Sequence, residues 1–252
     1  MTVSENQIKT FLFCKKLYHF NEDITSLEKS QALIFKTIKD LYLLIIKNKL
    51  KDFDKDLFFL IQKNLHSLYK EVNTLDDVQY LTNYTIQAVY KFFKLYPLKT
   101  FFPVVVNYQP EIAYKNNKLS IHYDVLLRQD NKSGFLYGIC FVQNIDEHFK
   151  ANDVFIDFKL KYLKGLFTGR RSSHPATRIN FFSIKPASFR NKNQRGYKLN
   201  SYVKTEREIS IDNLLSLGKL LDYFFSHKNL KIVMPFCPNK SCVKRKECFN
   251  EN

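Results

Sequence analysis

The sequence lacks several signatures of common cofactor sites. Its 252 residues include no tryptophan and only six glycines. Neither a G-x-x-x-x-G-K-[ST] loop nor a G-x-G-x-x-G loop occurs, so no nucleotide-binding loop of either kind is predicted. H-E-x-x-H is also absent, which excludes the commonest zinc-protease motif. The remaining candidates for chemistry are cysteines, carboxylates and a concentration of basic residues.

Long apolar runs are missing too. The longest candidate, 41–46, is far shorter than the roughly 20 residues that cross a bilayer. Residues 1–6 lack signal-peptide anatomy, so we expect a cytoplasmic protein with no membrane partner. In a reducing cytosol, five cysteines favour metal binding or free thiols over disulfides. The length predicts one domain, 1–252, with a helical region at 25–100 and a cysteine-rich tail at 230–252.

Acidic residues are absent from Phe158 to Val203, in a chain whose net charge is +16. Such a one-sided stretch attracts polyanions, because each lysine or arginine that neutralises a phosphate releases counterions. A solvated surface tuned for solubility is the alternative. We predict DNA contact, single- or double-stranded, through seven residues of this stretch: Arg170, Arg171, Arg178, Arg190, Lys192, Arg195 and Lys198.

The hydrophobic pattern predicts an α/β fold. Apolar residues recur at helical spacing over 26–50 and 54–97, and a short helix is expected within 1–20. Strand-like segments follow at 102–114, 118–128 and 135–143. A helix to residue 167, strands at 177–184 and 198–203, a helix at 211–227 and a closing strand at 232–234 complete the order.

Four of the five cysteines lie at the two ends of the chain. Cys237, Cys242 and Cys248 fall within twelve residues, and Cys14 lies near the start. Four thiolates suit a [4Fe–4S] cluster or a structural zinc ion, and spacing does not separate the two. A zinc knuckle of the last three cysteines, or free thiols, are the alternatives. Cys140, inside an apolar strand, is expected to pack in the core.

The cysteine layout and element order resemble the RecB-like branch of the PD-(D/E)XK nucleases, in particular the CRISPR-associated exonucleases with an iron–sulfur cluster. Residues 4–18 match the phrase "S-x-x-x-I-x-x-F/Y-x-x-C-P-x-x-Y", with Lys15 replacing proline. The family's C-x2-C-x5-C ending reads here with gaps of four and five. The resemblance implies a restriction-endonuclease-like core, a mixed sheet flanked by helices, and a cluster on the four terminal cysteines.

The same resemblance implies a Mg²⁺ or Mn²⁺ site that is incomplete in this chain. Glu111 and Asp124 match the upstream acid and the "G-x-x-D" strand. Aligned by strand order, the following "I-I-D-Y-K" reads 139–143, where Phe141 replaces the acid and Gln143 the lysine. The helix that brings a histidine in the family reads 36–39, ending in Lys39. On this alignment the metal site has lost essential ligands.

A rival alignment places the missing motif at 154–159, which reads Val-Phe-Ile-Asp-Phe-Lys. As a strand it would put Asp157 and Lys159 on one face, and the site would be Glu111, Asp124, Asp157 and Lys159. The segment also fits a helix, since Val154, Phe158, Tyr162 and Leu166 form a stripe at helical spacing.

The sequence therefore leaves three functions open. The first is a DNA-binding protein of nuclease fold whose cleavage site is lost or weakened, acting within a larger nucleic-acid-processing complex. The second is an active metal-dependent DNA exonuclease of PD-(D/E)XK type. The third is a non-enzymatic subunit that binds an acidic protein partner.

Overall fold

The computed structural model describes residues 2–13, 29–68, 75–129, 135–142, 154–166, 177–185, 198–205 and 208–228. The helices in these ranges are α1 (Glu5–Phe13), α2 (Lys29–Ile46), α3 (Phe53–Leu68), α4 (Leu75–Leu95), α5 (Val154–Gly165) and α6 (Ile211–His227). The strands are β1 (Thr2–Ser4), β2 (Phe101–Tyr108), β3 (Glu111–Tyr114), β4 (Asn117–Ser120), β5 (Tyr123–Gln129), β6 (Phe135–Phe141), β7 (Thr177–Lys185) and β8 (Lys198–Thr205).

The longest of these elements is α4, which covers Leu75–Leu95.

The strands form two sheets. The main sheet has five strands in the order β2-β5-β6-β7-β8, and only the β6–β7 pair is parallel. The small sheet has the order β1-β4-β3, with β1 parallel to β4. The predicted α/β fold with mixed sheets flanked by helices is therefore confirmed.

Helices cover both faces of the main sheet, which gives a three-layer arrangement. Because side chains alternate along a strand, Val125 and Leu127 point to one face and Leu126 points to the other. The first face packs against α2 and α4, and α3 packs on those two helices. The second face packs against α1, α5 and α6.

The core under α2–α4 is rich in aromatic rings. Phe92 on α4 lies 5.3 Å from Phe182 and 5.9 Å from Phe141, measured between ring centroids. Phe35 on α2 stacks on Phe141 at 4.2 Å with the rings almost parallel. These contacts fix α2 and α4 across the middle strands, where the candidate site begins.

The structure refines several predicted boundaries. The segment predicted as one strand over 102–114 is two strands, β2 and β3, separated by Gln109 and Pro110. The next prediction, 118–128, divides into β4 and β5 because the chain leaves the small sheet and enters the main one. The closing strand predicted at 232–234 lies outside the described residues.

Residues 154–165 form helix α5, so the helical interpretation of this segment is confirmed and the strand interpretation is wrong. The physical reason is an apolar helix face, which buries Phe155, Ile156, Leu160 and Leu163. This face differs from the predicted stripe, whose members Val154, Phe158 and Tyr162 are half-buried and whose Leu166 is exposed. Within the described ranges, every helix is too short or too polar to cross a bilayer.

Candidate functional site

Asp124 lies at the start of β5 and points toward α2. Its Oδ1 atom is 3.2 Å from the ammonium nitrogen of Lys39 and 3.4 Å from Nε2 of His122. Its Oδ2 atom accepts a 2.7 Å hydrogen bond from the backbone N–H of Phe141. Burial by itself would raise the pKa of Asp124, but the contacts with His122, Lys39 and Phe141 outweigh burial and lower it. Asp124 is therefore an ionised carboxylate held by protein groups.

The arrangement around Asp124 unites three positions that the resemblance relates. In the predicted motif, Asp124 matches the first acid, Phe141 aligns with the second acid and Lys39 aligns with the histidine. The Phe141 side chain is a phenyl ring stacked on Phe35. The Lys39 ammonium lies beside the Asp124 carboxylate, the predicted metal ligand.

A second ionic centre lies on the other face of the sheet, around Glu5. Glu5 is 7% exposed; its Oε2 atom is 2.6 Å from Lys159 Nζ, and its Oε1 atom is 2.8 Å from Lys9 Nζ. Lys159 is also buried, at 5% exposure. Burial would raise the pKa of Glu5, but the two ammonium groups outweigh it and lower the pKa from 4.5 to about 2.

Local structure explains how Glu5 is positioned. Ser4 and Gln7 form a capping box, in which Gln7 N–H donates to Ser4 Oγ at 3.2 Å and Ser4 N–H donates to Gln7 Oε1 at 2.8 Å. Glu5 follows in the first turn of α1, where a negative charge is favoured by the helix dipole. Lys9 is one turn further on, which accounts for its contact with Glu5.

Cys140 lies between the two ionic centres. Its sulfur is 3.9 Å from Lys159 Nζ and 3.7 Å from the carbonyl oxygen of His122. Burial raises the pKa of the thiol from 9.0 to about 12. Cys140 is therefore a neutral thiol at physiological pH, in agreement with its predicted role in core packing. The Tyr123 hydroxyl donates a 2.7 Å hydrogen bond to the carbonyl oxygen of Lys159, which links β5 to α5.

Asp157 and Lys159 do not share a site, which corrects the rival alignment. Residues two apart on a helix differ by about 200° in direction, so the two side chains leave opposite sides of α5. Asp157 is fully buried, with Oδ1 2.5 Å from Lys204 Nζ on β8 and Oδ2 accepting a 2.6 Å hydrogen bond from the Asn213 side chain on α6. Asp157 thus joins α5 to β8 and α6.

Glu111 lies in the small sheet and is separate from both ionic centres. Its carboxylate contacts Lys118 Nζ at 2.9 Å and Thr2 Oγ1 at 3.4 Å. The hydrogen bond from Lys118 lowers the pKa of Glu111. Across the described ranges, no three histidine, cysteine, aspartate or glutamate side chains come close enough to hold a metal ion. The four predicted catalytic residues are therefore not gathered into one metal site there.

The four terminal cysteines lie outside the described residues, but the helices that lead toward them are in contact. Phe11 on α1 packs edge-on against Phe224 on α6, with ring centroids 5.0 Å apart. Cys14 follows Phe11 by three residues, and Cys237 follows Phe224 by thirteen. The helices that precede the two cysteine segments in the sequence are therefore neighbours. Four thiols in such segments are a suitable donor set for the predicted cluster.

Most of the predicted DNA-contacting residues also lie outside the described ranges, namely Arg170, Arg171, Arg190, Lys192 and Arg195. Lys198 begins β8, and Arg178 lies on β7. The guanidinium carbon of Arg178 lies 5.7 Å from the ring centroid of Tyr137. Arg178 is therefore a half-buried cation held against an aromatic ring.

The sequence reasoning missed Glu5 as a site residue. Glu5 was present only as an unassigned position in the N-terminal phrase, although its spacing to Lys9 was a usable signal for an ion pair. The contact of Glu5 with Lys159 spans most of the chain, and nothing local in either segment indicates it. The sequence predicts Lys39 in a helix, at the position of the family's histidine, but it does not predict the contact of Lys39 with the Asp124 carboxylate.

Comparisons with known proteins identify no family for this chain. No protein-family model matches the chain, and no curated protein matches it. A solved structure titled "Crystal structure of SSO0001" is similar at 13% identity, with coverage of 87% of this chain and 85% of that one. The TM-score is 0.29, so this likeness carries no argument about function.

Proposed function

We propose that this chain is a DNA-binding protein of RecB-like nuclease fold that holds DNA without cutting it. The observation that carries the proposal is the state of Asp124, whose carboxylate contacts Lys39, His122 and the Phe141 backbone. A divalent metal at this carboxylate would have to displace the Lys39 ammonium, and Phe141 supplies no second acid. The protein would therefore act by holding nucleic acid within a larger processing complex.

Charge supports the DNA-binding half of the proposal. The chain has a net charge of +16, and the stretch from Phe158 to Val203 contains no acid. Two acids of the core are already neutralised within the fold, since Asp157 pairs with Lys204 and Glu5 pairs with Lys159. The other lysines and arginines of the stretch are the residues that we propose for phosphate contact.

The proposal includes a [4Fe–4S] cluster on Cys14, Cys237, Cys242 and Cys248, with zinc as the alternative. The packing of Phe11 on Phe224 supports it, because this contact brings the two cysteine segments out of adjacent helices. When bound, the cluster would supply a covalent link between the two ends of the chain. In a purified sample we expect brown colour and about four iron atoms per chain. A colourless protein with stoichiometric zinc would instead support the structural zinc site.

A cleavage assay tests the loss of activity. The full chain is incubated with single- and double-stranded DNA in Mn²⁺ and in Mg²⁺, beside an Asp124→Asn variant. We expect no metal-dependent cleavage by either protein. Cleavage by the wild type that Asp124→Asn abolishes would overturn the proposal and establish the active exonuclease.

A salt titration tests DNA binding separately. We expect the affinity for DNA to fall steeply as salt rises, and Arg178→Gln to reduce the slope of log K against log salt by about 0.9 for one lost phosphate contact. Arg128→Gln, at a basic residue on β5 outside the acid-free stretch, is the matched control and should leave the slope unchanged. Absence of DNA affinity at low salt would favour the acidic protein partner.

A further inference from the structure

An apolar groove lies between the small sheet and α6, away from both ionic centres. Its volume is about 190 Å³, which is enough to accept aliphatic side chains. Strand β3 forms one wall, α6 forms the other, and α5 contributes Phe158 and Lys161. Among the lining residues, Ile112 and Tyr114 come from β3, and Leu214 and Gly218 come from α6.

The β3 wall is the edge of a sheet. In the order β1-β4-β3, strand β3 pairs with β4 on one side only, so its other side has no strand neighbour in the described part of the chain. An unpaired strand edge is a template for the addition of an extended segment, which gains backbone hydrogen bonds. Here that edge belongs to the same strand that lines an apolar groove.

Gly218 keeps the α6 wall open. A Cβ atom at Gly218 would meet no atom within 4 Å, so close packing within this chain does not require a glycine there. The Tyr114 hydroxyl lies 2.9 Å from the Gly218 carbonyl oxygen and 2.9 Å from Asp222 Oδ1, and both oxygens are acceptors for it. An incoming side chain could occupy the space beside Gly218.

Exposed apolar residues extend the groove along α6. Ile211 is 73% exposed and Leu215 is 62% exposed, and the two lie one helical turn apart. Together with Leu214 they continue the apolar lining beyond the groove itself. A contiguous exposed apolar surface of this kind is typical of an interaction site.

The charges at the groove are mostly positive. Lys161 lines it, and Lys164 and Lys219 are exposed on the same two helices; within the described ranges none of the three forms an ion pair. The nearby Lys115 and Lys118 are already paired with Asp222 and Glu111. Asp212 is the exposed acid in the first turn of α6. The groove therefore favours an occupant with acidic residues.

We propose that this groove binds an extended segment of a partner protein that adds to the edge of β3. Alternate side chains of the segment are apolar and enter the groove beside Gly218, and the intervening ones are acidic and face Lys161, Lys164 and Lys219. This interaction does not depend on DNA binding, since it uses a different part of the surface.

A peptide of about eight residues, an ordinary strand length, tests the proposal. The probe alternates valine with glutamate, and a matched peptide alternates valine with lysine. Fluorescence anisotropy with the full chain should show the glutamate peptide binding at least about tenfold more tightly than the lysine peptide. Lys161→Glu should remove most of this preference.

Two substitutions at one position separate groove occupancy from folding. Gly218→Leu fills the groove and should weaken binding of the glutamate peptide by about tenfold or more. Gly218→Ala leaves room and should preserve binding. Both replace a helical glycine in open space, so both should raise Tm, which shows that lost binding is not unfolding.

Three outcomes would overturn the proposal. The first is equal binding of the two peptides, and the second is unchanged binding by Gly218→Leu. The third is a dimer in sedimentation equilibrium that Gly218→Leu abolishes, because the occupant would then be a second copy of this chain. As a control, Phe59→Ala removes a side chain on α3 that is about as exposed as Leu215, and it should leave peptide binding unchanged.

Discussion

The two helical layers of this protein are held to the same sheet by different forces. Under α2–α4 most buried polar residues are neutral, among them Thr37, Asn64 and Asn180, and aromatic rings dominate the packing; the exception is Asp124, which pairs with Lys39 on α2. Under α1, α5 and α6, Glu5 and Lys159 are buried as charges, and Asp157 is fully buried beside Lys204. Buried charges add little net stability but are costly to leave without a partner. The second layer, with Glu5, Asp157 and Lys159 buried, thus depends more on charge than the first and is the charged layer of the two.

The largest expected loss of stability is in the layer under α2–α4, which is packed mainly by aromatic rings. Phe92→Ala should lower the free energy of unfolding by about 3–5 kcal/mol, because it removes a buried ring that contacts Phe141 and Phe182. Urea unfolding measures this loss. The loss should be the same at pH 7 and pH 5; a marked dependence on pH would contradict the separation of the two layers.

In the charged layer, Lys159→Met should cost about 3 kcal/mol, because Glu5 loses its buried partner and keeps only Lys9. The double variant Glu5→Gln with Lys159→Met removes both charges and should regain much of the loss. Urea unfolding of the two variants and the wild type measures the difference. Equal stability of the single and double variants would show that the buried charge of Glu5 is not the cause.

Acid should weaken the charged layer. The pKa of Glu5 falls on folding, from 4.5 to about 2, so its contribution is fully present above pH 4.5 and is lost as pH falls toward 2. This difference corresponds to about 3 kcal/mol. Because other carboxylates titrate in the same range, the measurement is the difference between the wild type and Glu5→Gln over this pH window. Parallel curves would contradict the assigned pKa.

The smallest effect is expected at the surface. Glu111→Gln disrupts an ion pair with Lys118 that is open to solvent, so the midpoint of urea unfolding should not change measurably. It is also the matched control for Glu5→Gln, since the same chemical change is made at an exposed carboxylate. A large loss of stability in Glu111→Gln would contradict the expectation that burial makes the charge of Glu5 matter more than that of Glu111.

The sequence predicted the architecture better than the site. Periodicity predicted α2, α3, α4 and α6, because each buries an apolar stripe that local spacing reveals. It left α5 open between helix and strand, since a short run such as 154–160 satisfies both periods. Periodicity does not predict the contact of Lys159 with Glu5, because this contact depends on how α1 and α5 pack together on the sheet.

Family resemblance had a similar limit at Asp124. It placed Asp124, Phe141 and Lys39 in related positions, and the fold brings these three together. It did not predict that the lysine would meet the carboxylate directly, since a motif names residue types and says nothing of side-chain contacts after substitution. That the chain is one domain stays a prediction.

The packing of Phe11 on Phe224 also bears on how this protein is made. The two residues are 213 positions apart, the difference between 224 and 11. During synthesis α1 leaves the ribosome long before α6, so this contact cannot form until α6 has been translated. Until then Phe11 lacks the ring of Phe224, and the apolar side of α1 is a surface that a chaperone can bind.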